Sequence, residues 1–283
     1  MKIDKILFVS DSNLNYLSFW ESISRYYKKR FGLDSKLFFI GEVNDETKPF
    51  LTEEYGEVEV IAPIKDIPII IQTLWGKFWF TQTEPETTWL IGDIDLYLLN
   101  KDYFEDCMKR IPSESYGHIN ANGYKDGNWW ERPLTGIPGY FHCAKGSKFK
   151  EFLGLSDTLE EDCKYIIESK RYGILYNGLI SDESQAPQRV KDKKDFGYIC
   201  CEENLTTERL KSRKDEIVSI TYPNYLHRIE TPYAANGLST PNFFEIDKMF
   251  NSSMKSIYID LHAPRPYNVF ASGIEKILEN YYV

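Results

Sequence analysis

The first forty residues constrain the fold most, because they read as strand, helix, strand. Ile6-Leu7-Phe8-Val9 is a continuous apolar run that stops at the turn-rich cluster Ser10-Asp11-Ser12-Asn13. It is too short for a signal peptide and reads as a buried strand. Tyr16, Trp20, Ile23, Tyr27 and Phe31 then recur on one helical face, and Gly32 supplies a stop. Lys36 to Ile40 forms the second strand. This βαβ order predicts a parallel sheet with its ligand crevice beyond the carboxyl ends of the strands.

The rest of the chain extends that pattern. Val58 to Ile61 reads as a third strand, Pro68 opens a helix carrying Ile71, Leu74, Trp75 and Phe78, and Trp89 to Ile91 is a short apolar strand. A helix is expected over Tyr103 to Ile111 and a strand over Tyr116 to Ala121. Asn122 to Pro138 is a long polar and aromatic loop holding Trp129 and Trp130, the pattern of a binding loop or a lid. Thr158-Leu159-Glu160-Glu161 is a capping box for a helix reaching about Arg171. Gln188 to Asp195 is a charged, solvated stretch. Ile217 to Thr221 and Ser256 to Leu261 read as late strands. Ile274, Ile277, Leu278 and Tyr281 give a C-terminal amphipathic helix. Without repeats or a clear linker, the 283 residues read as one α/β domain, long enough to bury a real core.

Charge and motifs exclude several classes. The net charge is −9 with no basic stripe, which argues against a nucleic-acid partner. Five cysteines, an odd number without a C-x-x-C pair, favour neither a disulfide framework nor a zinc site and point to a reducing, cytoplasmic compartment. No apolar run of about 18 residues is present, so no membrane span is expected. No G-x-G-x-x-G, P-loop or G-x-S-x-G motif occurs, which disfavours a dinucleotide dehydrogenase, a P-loop NTPase and an α/β-hydrolase. An acidic chain that binds an anionic ligand needs a metal ion or local cations at the site, which directs attention to carboxylates.

The central signal is Trp89-Leu90-Ile91-Gly92-Asp93-Ile94-Asp95-Leu96-Tyr97-Leu98-Leu99. An apolar strand delivers two carboxylates at its end, spaced i and i+2, so both are expected on one side of an extended segment. Two hard oxygen donors suit Mg²⁺ or Mn²⁺, which bridges the phosphates of a substrate. The plainer alternative is a loop with two solvated aspartates.

Ile91 to Leu98 resembles the strand, D-x-D and apolar continuation of the GT-A glycosyltransferases. The βαβ start and the helix at Tyr103 to Ile111 fit the same order, so the resemblance spans Lys5 to about Tyr267. It implies a Rossmann-like mixed, mostly parallel sheet flanked by helices in a single domain. Residues 1–100 would form the nucleotide-binding half and residues 101–283 the acceptor-binding half. It further implies metal-dependent transfer of a sugar from a nucleotide-diphosphate donor, UDP-sugars favoured, to a carbohydrate or glycoconjugate acceptor. Mn²⁺ or Mg²⁺ would be the cofactor. Tyr258 to Tyr267 resembles the late strand of the glycogenin-like retaining enzymes, which ends in His before a basic, Pro, aromatic segment. That implies His262 as a third metal ligand, Arg265 as a diphosphate contact, and retention over inversion. The spacing is shorter here, and Arg and Tyr stand where that group has Lys and Trp.

The resemblance also implies roles elsewhere. These enzymes hold the base and ribose at the end of the first strand, which nominates Ser10, Asp11, Asn13 and Tyr16; an Asx turn with an N-cap accounts equally for Asp11 and Asn13. Lys77 stands where the family often places a basic residue near the donor, and a solvated lysine is the alternative. Asp182 and Glu183 would supply a general base under inversion, or sugar contacts under retention; acidic residues at a helix N-terminus are the alternative. Gly136 to Phe141 resembles the loop lining the donor sugar, nominating Gly139 and Tyr140, with Trp129 and Trp130 stacked on an acceptor sugar. Two rivals remain. A sugar nucleotidyltransferase usually carries a Gly-rich basic loop that Ser10-Asp11-Ser12-Asn13 lacks. A non-catalytic carbohydrate-binding protein would not need Asp93, Asp95 and His262 together.

Overall fold

A computed structural model describes residues 1–119, 140–168, 201–220, 226–230, 258–263, 265 and 267–279. The strand runs read from the sequence become β1 (Lys5–Asp11), β2 (Asp34–Ile40), β3 (Gly56–Ile61) and β4 (Thr88–Ile91). All four are mutually parallel, in the order β3-β2-β1-β4. The sheet continues through β7 (His142–Lys145), β6 (Tyr116–His118) and β8 (Ile217–Ser219), with β7 antiparallel to both of its neighbours. The result is a mixed, mostly parallel seven-stranded sheet.

Side chains of the central strands alternate between two cores, as the pleat requires. Ile6, Phe8, Leu37, Phe39 and Leu90 enter one core, while Leu7, Phe38, Ile40, Trp89 and Ile91 enter the other. Both faces are covered, which is why these strands read as unbroken apolar runs rather than alternating ones. On the first face lie α2 (Trp20–Phe31), α4 (Lys101–Arg110) and α8 (Tyr267–Glu279). On the second lie α3 (Ile69–Trp79), α5 (Gly146–Leu153), α6 (Leu159–Glu168) and α7 (Cys201–Lys211). The capping box opens α6 as expected, with Thr158 Oγ1 accepting from the Glu161 amide at 3.2 Å. Arg209 ties α7 down: it donates to Asp162 at 3.2 Å and stacks over Trp75 at 5.0 Å. Among the described residues no helix is long and apolar enough to cross a membrane.

Two local readings need correction. The helix expected over residues 16–31 is divided into α1 (Leu14–Leu17) and α2. Between them the ladder tightens by one residue, because the Phe19 amide bonds Tyr16 O at 3.0 Å before Ile23 resumes the four-residue step to Phe19 O at 2.9 Å. The break leaves Tyr16 half-buried at the end of β1 while Trp20, Ile23 and Tyr27 are fully buried. Gly32 ends α2 at φ 70°, the left-handed cap expected of it. The second correction concerns the D-x-D segment. It is a turn, closed by the Leu96 amide on Asp93 O at 3.0 Å, rather than an extended strand end.

After that turn the chain enters a second sheet, with β5 (Leu96–Leu98) paired antiparallel to β10 (Tyr258–His262), and β10 parallel to β9 (Leu226–Glu230). Tyr27 fixes β5 from below, donating to Leu96 O at 3.2 Å and accepting from the Leu98 amide at 3.1 Å. Burial pushes the Tyr27 hydroxyl far above its usual range, so it stays a neutral donor and acceptor.

Gly92 makes the exit from β4 possible. A Cβ there would lie 2.5 Å from Phe8 Cε1 and 3.1 Å from Ile6 Cδ1. Phe8 is fully buried against Trp20 and Tyr27, so its ring has nowhere to go. Gly92→Ala is therefore expected to lower stability by about 1–3 kcal/mol, the usual cost of overpacking a core. A denaturant titration checks this, and an unchanged midpoint would contradict the packing argument.

Candidate functional site

The strand order explains where a ligand can sit. β1 leads outward to β2 and β3, and the chain then returns to place β4 on the opposite side of β1. The connections leave in opposite directions there, so a crevice opens between the carboxyl ends of β1 and β4. A cleft of about 270 Å³ occupies this position. It is lined from β1 and α1 by Val9, Ser10, Asp11, Asn13 and Tyr16, from the β4 exit by Gly92, Asp93, Ile94 and Asp95, and from the C-terminal segment by Arg265. Helix α3 adds Ile70, Thr73, Leu74 and Lys77.

The geometry at the β1 end is a built turn. Asp11 Oδ1 accepts from the Asn13 amide at 2.8 Å, and Asn13 Oδ1 caps α1 by accepting from the Asn15 amide at 3.1 Å. The Asx turn and N-cap are thus present, and the same two residues also face the cleft. Ser10 is buried, with its hydroxyl on Asp11 O at 3.3 Å.

At the β4 end the two aspartates differ in exposure. The Asp93 side chain is 36% exposed and the Asp95 side chain 7%. Each has a cation. Lys77 Nζ lies 2.9 Å from Asp93 Oδ1, and Arg265 Nε lies 3.4 Å from Asp95 Oδ2. The Arg265 guanidinium also covers the Tyr16 ring at 4.6 Å, a cation–π contact that joins the two ends of the cleft. Burial lowers the pKa of Arg265 below its ordinary value. A guanidinium starts so high that it stays charged at neutral pH. Three carboxylates, those of Asp11, Asp93 and Asp95, and two cations therefore line one cleft.

The donor chemistry fits a hard divalent ion. Such ions are commonly held by one or two carboxylates together with substrate phosphates. Asp93 and Asp95 offer that pair on one wall. Among the described residues no group of three or more His, Cys, Asp or Glu side chains could hold a metal by itself. His262 is placed by its backbone, opposite Leu96 in β5, and its side chain lies outside the described residues.

Tyr140 does not line the cleft; its ring packs edge-on against Phe141 at 5.3 Å and against the first core. Trp129, Trp130, Gly139, Asp182 and Glu183 lie outside the described residues. His118 and His142 are cross-strand neighbours, fully buried, with rings 4.6 Å apart, and they stand apart from the cleft. Burial holds His118 well below its usual pKa. The sequence alone did not assign Ile70, Thr73 and Leu74 to the cleft. The available signal was their spacing from Lys77, which puts all four on one helical face.

Solved structures similar to this chain include two of LgtC. An active-site mutant of LgtC matches with a TM-score of 0.50 at 11% identity, covering 98% of this chain and 94% of that one. The galactosyltransferase LgtC in complex with donor and acceptor sugar analogues matches with a TM-score of 0.49 at 10% identity, covering 98% of this chain and 95% of that one. No protein-family model matches the chain, and no curated protein is similar to it. At 11% identity the likeness establishes the fold alone: the mixed, mostly parallel sheet with helices on both faces is the GT-A fold.

Proposed function

We propose that this protein is a metal-dependent glycosyltransferase that moves a sugar from a nucleotide-diphosphate donor to a carbohydrate or glycoconjugate acceptor. The observation that carries the proposal is the convergence of Asp93, Asp95, Lys77 and Arg265 with the β1 turn in one cleft at the switch point of the sheet. A glycosyl donor of this kind has three parts: a flat base, an anionic diphosphate and a sugar. The cleft offers a counterpart to the first two. Tyr16, Ser10, Asp11 and Asn13 supply an aromatic face and polar groups for the base and ribose, and the two cations supply charge for the phosphates.

Each residue then has a distinct role. Asp93 and Asp95 would hold Mn²⁺ or Mg²⁺, with His262 as the proposed third ligand, and an ion bound there would supply positive charge against the charge that develops on the departing diphosphate. In the ligand-free cleft Lys77 and Arg265 balance the carboxylates; with a nucleotide bound they donate to phosphate oxygens, and the planar Arg265 fork suits that geometry. Asp182 and Glu183 are proposed to face the reacting sugar, with Trp129, Trp130 and Gly139 on the sugar side of the site. Residues 1–100 supply the nucleotide half and 101–283 the acceptor half. UDP-sugars are the favoured donors, and a cytosolic location accords with the free, buried Cys107, Cys143 and Cys163.

The metal assignment is tested by calorimetry with UDP and Mn²⁺. Asp93→Ala and Asp95→Ala are each expected to abolish metal-dependent UDP binding while thermal unfolding stays cooperative. Unchanged affinity in Asp95→Ala would refute the assignment, and would return the non-catalytic carbohydrate-binding reading.

The stereochemical outcome is proposed to be retention, from the Tyr258 to Tyr267 segment. Proton NMR of the first-formed product should then show the anomeric configuration of the donor. An inverted product would instead make Asp182 or Glu183 the general base.

A further inference from the structure

We propose that Glu275, which does not line the cleft, is the positioning residue for Arg265; the inference rests on the nucleotide-binding reading above and extends it to the C-terminal helix. A single carboxylate oxygen, Glu275 Oε1, accepts three hydrogen bonds: from Ser22 Oγ at 2.7 Å, from Arg25 Nη2 at 2.8 Å and from Tyr267 Oη at 2.6 Å. Ser22 Oγ in turn accepts from the Tyr97 hydroxyl at 3.1 Å. Each donor sits beside a segment that reaches the cleft. Tyr267 opens α8 two residues after Arg265. Tyr97 lies in β5 two residues after Asp95. Ser22 and Arg25 lie on α2, whose cap residue Phe19 packs edge-on against the Tyr267 ring at 5.3 Å and follows Tyr16 by three residues.

Helix α2 and the start of α8 therefore meet at one oxygen, and β5 is tied to it through Ser22. Arg265 itself pairs with Asp95 at 3.4 Å and covers the Tyr16 ring at 4.6 Å. The short, charge-assisted bonds at Glu275 restrain the start of α8, two residues after Arg265. Burial, with the bond to Glu275, pushes the Tyr267 hydroxyl up to about 12, so it remains a donor at neutral pH.

The test is a double-mutant cycle read as UDP affinity in the presence of Mn²⁺, using wild type, Arg265→Ala, Glu275→Ala and the double variant. Arg265→Ala is expected to weaken UDP by about one to two decades, because it removes a hydrogen bond to a charged group. Glu275→Ala should weaken it by about tenfold, and the double variant should bind no worse than Arg265→Ala alone, since Glu275 acts through the arginine. Glu275→Gln, which keeps an acceptor oxygen, should retain most of the affinity. A merely stabilising glutamate would give losses that multiply in the double variant, or wild-type affinity in Glu275→Ala; either result overturns the positioning role. If Glu275→Ala does not fold, Tyr267→Phe removes the bond nearest Arg265, and wild-type affinity there overturns the role equally. A wild type that binds no UDP overturns the nucleotide reading itself, and is distinguishable from all of these.

Discussion

The pairing of β4 with β1 is the arrangement on which the site depends. Lys5, Ile6 and Leu7 register against Trp89, Leu90 and Ile91, and the Gly92 amide adds a further bond to Leu7 O at 3.0 Å. That pairing sets the turn after β1 beside the turn after β4. One turn ends in Ser10, Asp11 and Asn13, the other in Asp93 and Asp95. Had β4 added beyond β3 instead, two strands would separate these groups and no common cleft would form. The side-by-side arrangement requires a residue without a side chain at position 92, because the Phe8 ring fills the space a Cβ would need.

The second sheet completes the cleft from the far end of the sequence. β5 continues from the D-x-D turn, pairs with β10, and the Ala263 amide reaches Asp95 O at 2.8 Å. This delivers Arg265 to an aspartate 170 positions earlier in the chain. The consequence is electrostatic. In a chain of net charge −9, the two aspartates at the β4 end of the cleft each carry a cation, Lys77 on Asp93 and Arg265 on Asp95. The pocket can exchange its internal ion pairs for contacts with a phosphate, and desolvated charges that lose their partners without such exchange would be costly.

Much of this was legible in the sequence because it is local. Apolar runs marked β1, β2 and β4, and one-sided spacing marked α2 and α3. The polar ends of β1 and β4 drew attention to Ser10, Asp11, Asn13, Tyr16, Asp93 and Asp95, and all of them line the cleft together with Lys77 and Arg265. What was not legible is long-range or short. β5 and β7 contain 3 and 4 residues, too few to show a period. Helix α7 carries few apolar residues and is held by Arg209 over Trp75, a contact no pattern encodes. The division of α1 from α2 follows from one tightened turn in an otherwise regular stripe. Glu275 reads as an ordinary exposed helix residue until tertiary packing brings Ser22 and Arg25 beside it.

We propose that the cleft binds a nucleotide sugar and breaks its glycosyl–phosphate bond with the help of a divalent ion. The most direct measurement is release of nucleoside diphosphate from a panel of UDP-, GDP- and other nucleotide sugars, with Mn²⁺, with Mg²⁺ and with chelator. Slow metal-dependent hydrolysis of one donor, with UDP-sugars preferred, is the predicted result. Release at the uncatalysed rate from every donor under all three conditions would contradict the account.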